Sequence, residues 1–149
     1  MIFDRTISDI KQAIEIRENK VKKGENLTDN EIEILSRGFV GVDTLNRICE
    51  KQAELRRLFN DMGYYNTNIV EKQWSEQDLF LKSDMEIISK NNDILKKAYF
   101  VFSTTPPNGR PIAHYEEFNK IEKILYDLSE MVDDMKSYFK ECGDLECGG

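Results

Sequence analysis

The chain reads as an all-α protein, with four main helices in a bundle, a short extra helix and an extended middle connector. Two observations carry that reading. From Phe118 the apolar residues run Ile121, Ile124, Leu125, Leu128, Met131, Val132, Met135, Tyr138, Phe139, Cys142. This is a stripe of three positions per heptad, the broad face of a helix packed among other helices. Glycine and proline, in turn, fall at boundaries. All three prolines lie between Ser103 and Ala113, and no glycine interrupts an apolar periodic run.

The elements follow in order. A first helix is expected from about Ser8 to Lys23, with Ile7, Ile10, Ile14 and Val21 on one face. Thr28-Asp29-Asn30-Glu31 has the form of a capping box and opens a short helix that closes at Gly38. The second main helix spans about Asp43 to Met62, with the stripe Leu45, Ile48, Gln52, Leu55, Phe59, Met62 and a cap at Gly63. Tyr64 to Trp74 has no helical period and reads as extended, with a short edge strand near Asn68 to Glu71. Ser83-Asp84-Met85-Glu86 has the capping-box form and opens the third helix, whose face is Met85, Ile88, Asn92, Leu95, Tyr99, Phe102. The Pro-rich loop then turns into the fourth helix, about Tyr115 to Cys142.

Residues 1–149 are read as one helical domain with a C-terminal tail at 143–149. Charged residues make up 33% and hydrophobic ones 40%, a globular composition. A net charge of −7 argues against a nucleic-acid partner, which needs clustered Lys and Arg. No stretch approaches the roughly 18 apolar residues of a membrane span, and no signal-peptide run opens the chain, so synthesis and folding in a cytoplasm are expected. A faint internal repeat pairs 1–73 with 74–142. Ser8-Asp9-Ile10 matches Ser83-Asp84-Met85, and Leu45-Asn46-Arg47-Ile48 matches Phe118-Asn119-Lys120-Ile121, at offsets of 75 and 73 residues. Two duplicated helical hairpins would give this pattern; so would chance likeness of amphipathic helices.

No motif of catalysis stands out, and no catalytic, cofactor-binding or metal-binding residue is assigned. Cys142 and Cys147 offer half a metal site or a local disulfide, but Cys142 falls on the apolar stripe and a structural role is expected. His114 has no partnering motif and reads as a cap or loop residue. Asp127, Glu130, Asp133, Asp134 and Glu141 read as a solvated helix face. Gln52 and Asn92 lie inside apolar stripes, either bonding across the bundle as register devices or touching water at a stripe edge. Tyr64, Tyr65 and Trp74 on the connector either cover the bundle end or anchor a partner. Pro106, Pro107 and Arg110 in the long loop are candidate contacts for the same reason.

Several strings act together. They are Asp4-Arg5-Thr6-Ile7-Ser8-Asp9-Ile10, Leu45-Asn46-Arg47-Ile48, Lys72-Gln73-Trp74 with Asp78, Ala98-Tyr99-Phe100-Val101-Phe102 with Thr105-Pro106, and Asn119 to Leu128. In this order and spacing they resemble a helical domain of structural proteins from phages and prophages of Gram-positive (Firmicutes-type) gut bacteria, associated with tail fibres and the baseplate region. The resemblance covers nearly the whole chain. It implies a non-enzymatic structural protein of the virion tail, made in the host cytoplasm and acting through protein–protein contacts. The implied partners are other tail, baseplate or fibre proteins, with symmetric copies or a homo-oligomer. In such relatives fibre or receptor-facing sequence often follows the domain. Here the sequence stops at Gly149, which favours an adaptor over a receptor binder. The alternative is a soluble phage assembly chaperone or regulatory binding module absent from the finished particle. A metal or redox module on Cys142 and Cys147 is a third reading.

Overall fold

The structure, a computed structural model, describes residues 1–98 and 104–144, with side chains through 138. Its five α-helices are α1 (Ile7–Ile16), α2 (Asp29–Gly38), α3 (Val42–Asp61), α4 (Lys82–Ala98) and α5 (Tyr115–Asp144). The fold is all-α and contains a helical bundle, as the stripes predict. Tyr99 and Phe102 of the expected third stripe lie outside the described residues.

Local chemistry sets most ends. Thr28 and Glu31 form the expected capping box of α2, and Thr6 with Asp9 forms another at α1. The first helix is not α-helical throughout. A π-helical turn covers Arg17–Val21, with the Lys22 N–H bonded to the Arg17 carbonyl at 3.0 Å. Gly63 follows α3 at φ 93°, a left-handed conformation that a side chain would strain. The capping box expected at Ser83 does not form. Helix α4 starts at Lys82, and the Asp84 carboxylate reaches back to accept the Leu81 N–H at 2.9 Å. Leu81 has no side-chain oxygen to return the bond.

Helices α3, α4 and α5 pack on one another and supply most of the core. Leu45, Ile48, Leu55 and Phe59 come from α3; Met85, Ile88 and Leu95 from α4; Phe118, Ile121, Ile124, Leu125, Leu128 and Val132 from α5. Gln52 and Asn92 are buried among them and bond across the bundle. The Gln52 amide donates to Asn92 Oδ1 at 2.7 Å and to the Ile88 carbonyl at 3.0 Å. Asn91 donates to Gln52 Oε1 at 3.1 Å, and Asn92 to the Ile121 carbonyl at 3.2 Å. One amide network thus ties all three helices at a single register, since a slipped register would leave buried amides unpaired.

The first helix is a correction. It packs on α2, as a side hairpin, and its apolar stripe does not enter the core. Ile7, Ile14 and Val21 are 58%, 40% and 44% exposed, while Ala13 is fully buried. Small residues set the crossing. A Cβ at Gly38 would collide with the Ala13 methyl and the Asp9 carbonyl, so the helices meet where neither carries bulk. The connector is a second correction. It forms no strand among the described residues, because no other strand lies beside it. The paired positions of the faint repeat behave alike within α3 and α5: Leu45 and Phe118, Ile48 and Ile121, Leu55 and Leu128 are all buried.

These packing roles separate two substitutions. Leu128→Ala should cost about 2–5 kcal/mol in urea unfolding, whereas Ile14→Ser should stay within about 1 kcal/mol. A large loss at Ile14 would place the α1 stripe in the core. The Asp9 carboxyl sits below its ordinary 3.8, held there first by the Thr6 backbone N–H and further by Thr6 Oγ1 and Arg37. Its folded value is depressed, so the cap is complete above the unfolded value and is lost as pH falls through the folded one. An NMR pH titration should show Asp9 titrating below 3.8, and an ordinary value would remove the cap from the account.

Candidate interaction surface

Two extended segments lie across the helices, and asparagines hold them. Asn119 on α5 accepts the Arg5 N–H at 3.2 Å and donates to the Arg5 carbonyl at 2.9 Å. Asn46 on α3 does the same to Trp74, at 2.7 and 3.0 Å. Asn91 on α4 does the same to Val70, at 3.0 and 2.8 Å. A primary amide can satisfy the N–H and C=O of one residue together only when both point the same way, as in a β conformation. Each bundle helix thus grips one extended residue as a neighbouring strand would. Asn46 and Asn119 occupy the same position in the faint repeat.

The N-terminal segment is fixed more deeply still. Glu122 is fully buried on α5 and accepts from Arg5 at 3.3 Å, from Arg47 of α3 at 2.6 Å, and from the Ile2 N–H. Arg5 is buried too, and its Nε donates to the Arg37 carbonyl at the end of α2 at 3.2 Å. Arg37 in turn pairs with Asp4 at 2.9 Å and Asp9 at 3.1 Å. Burial pushes the Arg5 pKa down, with Glu122 opposing; the hydrogen bond to Asp4, aided by Asp9, pushes that of Arg37 up. This polar chain attaches the α1–α2 hairpin to the bundle.

Beside it runs an open apolar groove of about 500 Å³, lined by Ile7, Ile10, Phe39, Phe80, Tyr115 and Phe118 among others. Exposed apolar residues lie in its wall and around it: Ile7 lines it, Leu79 and Leu81 stand on either side of Phe80, and Ile112 lies beside Ala113.

The six expected contact residues separate on this framework, and none lines the groove. Trp74 is a correction. It is only 5% exposed, packs on Phe80 at 5.4 Å with Lys72 Nζ 3.6 Å over its ring, and belongs to the core. Tyr64 is half-buried, with its ring against Phe59 at 6.4 Å; Tyr65 is 76% exposed. Pro106 is half-buried, and its carbonyl accepts from Lys96 at 3.1 Å; Pro107 is exposed. The Arg110 guanidinium is largely exposed, 3.9 Å from buried Glu117. That loop is strapped down elsewhere by Thr105 to Asp127 at 2.6 Å and Asn108 to Asp93 at 2.9 Å.

Asp127 corrects another expectation. It is buried, held by Thr105 and by Lys123 at 2.7 Å, while Glu130, Asp133 and Asp134 are exposed and the Glu141 side chain is outside the described residues. His114 acts as a cap, its carbonyl accepting the N–H groups of Glu117 and Phe118 at 3.0 and 3.1 Å. The Cys142 side chain and Cys147 lie outside the described residues. Burial pushes the Cys49 thiol above its ordinary value, which disfavours the thiolate. No family model matches the chain, no curated protein matches it, and no solved structure matches it.

Removing Glu122 tests the latch. Glu122→Ala should cost about 3–5 kcal/mol by leaving Arg5 buried without its anion. Adding Arg5→Ala should then cost less than its own single-variant loss. A loss under about 1 kcal/mol for Glu122→Ala would mean that the latch does not hold the hairpin.

Proposed function

We propose that the chain is a non-enzymatic structural subunit of a phage tail, a baseplate or tail-fibre adaptor acting through protein–protein contacts. Its partners are other tail, baseplate or fibre proteins, and its copies follow the particle's rotational symmetry. The observation that carries the reading is where the strings behind the resemblance fall. Each string with described side chains contributes a residue that ties separate segments together: Arg5, Asn46, Trp74, Thr105, Asn119 and Glu122. These strings therefore mark the stapled framework of this chain rather than scattered helical surface, which supports the reading. Exposed apolar residues about the groove and Tyr65 supply area for contacts of this kind.

Quantitative mass spectrometry of purified particles tests it. The chain should co-purify with tail proteins at a fixed ratio set by the tail symmetry, and Tyr65→Asp should lower that ratio while the isolated chain stays folded. A chain abundant in the lysate but absent from particles would overturn the proposal and make it an assembly chaperone.

A further inference from the structure

The middle connector behaves as a strand without a sheet. Between residues 68 and 73 the only main-chain groups bonded within the described chain are those of Val70, both held by Asn91. Trp74 is held likewise by Asn46. Along a β-conformed segment the N–H and C=O pairs of successive residues face opposite edges. Gripping Val70 and Trp74 from the helix side therefore turns the groups of Ile69, Glu71 and Gln73 to the outer edge, where none of the described residues bonds them. The N-terminal segment, held in the same way by Asn119, has no such edge. The Asp4 carbonyl accepts from Arg37 at 3.0 Å, and the Thr6 N–H and carbonyl belong to the α1 cap.

We infer that the outer edge of residues 69–73 is a docking site for an extended segment of another protein, which adds to it as a β-strand. An open edge of this kind is a template for strand pairing, and residues 69–73 contain no proline to block it. Its rigidity favours binding. Thr67 bonds Asn60 at 2.8 Å, Glu71 pairs with Arg56 at 2.9 Å, and Lys72 with Asp84 at 3.2 Å, so the strap is ordered before a partner arrives.

Charge selects the occupant. Antiparallel pairing of two copies about their midpoint would set Glu71 against its own copy, an unfavourable cross-strand pair. A foreign strand with a basic residue opposite Glu71 and a β-branched residue opposite exposed Val70 fits the edge. This inference rests on the strap alone and stands whichever assembly the chain serves.

The test is an amide-resolved NMR titration of the full chain with two short synthetic peptides of alternating threonine and valine, one with a central lysine and one with a central glutamate. With the lysine peptide, the Ile69, Glu71 and Gln73 amides should shift and gain exchange protection; the glutamate peptide should bind a few-fold more weakly. N-methylation of alternate peptide nitrogens should weaken binding about tenfold or more, because it removes main-chain donors. Glu71→Pro deletes the outward N–H and leaves the preceding residue in its β conformation, so binding should be lost with helical content unchanged. Glu71→Gln should bind both peptides and lose the charge preference. Three outcomes overturn the inference: no change at these amides with either peptide, binding indifferent to N-methylation, or protection that rises with chain concentration alone, which would assign the edge to a second copy.

Discussion

One carboxylate organises this molecule. Glu122 sits fully out of solvent on α5 and gathers donors from Arg5, Arg47 and the Ile2 main chain. A buried ion cluster need not outperform an apolar replacement in stability, but it tolerates very few geometries. That selectivity matters here because α1 and α2 are ten-residue helices, too short to persist unaided, and their largest apolar side chains stay partly in water. Their position follows from the line Glu122, Arg5, Arg37, Asp9, which runs from the bundle core through the N-terminal segment into the hairpin.

Much of the fold was legible because the stripes obey helical geometry. Phe118, Ile121, Ile124, Leu125, Leu128 and Val132 are buried where the heptad pattern puts them, with Met131 half-buried among them, and Thr28 and Glu31 cap as their spacing requires. The α1 stripe misled because periodicity shows that a face is apolar, not what covers it. A small-residue contact, Ala13 on Gly38, decided the partner, and nothing in the spacing of isoleucines reports that. Glu122 did leave a signal. It lies four residues after Phe118 and three before Leu125, on the apolar face itself, and a charge at such a position is buried with a counter-charge or the helix does not pack. Its partner in the N-terminal segment was not legible, since long-range ion pairs carry no local pattern.

The three asparagines explain how an all-α chain carries extended segments without a sheet. A primary amide presents one donor and one acceptor at the spacing of a main-chain unit, so it can stand in for a neighbouring strand at a single residue. Asn46 and Asn119 stand at matching positions of the faint repeat and make matching grips, on Trp74 and Arg5. Sequence likeness at those positions thus reflects a shared mechanical task. It also explains why the connector aromatics were hard to assign. Trp74 follows the gripped main chain into the core, whereas Tyr65, nine residues earlier, lies before the first grip and stays in water.

A segment tied at intervals differs from both a loop and a strand. It keeps the exposed polar backbone of a loop yet has little freedom left to lose, because side-chain ties at Asn60, Asn91, Asn46 and Asp84 fix it at close spacing. Ordering entropy is the main cost that weakens loop-mediated contacts, and here it is settled during folding. The same holds for the proline loop, fastened through Thr105, Pro106 and Asn108 to α4 and α5. Buried polar groups hold these segments from within and leave their outer surfaces unconstrained by the core. Residues such as Tyr65, Val70 and Pro107 can therefore change with a partner while the framework beneath them stays the same.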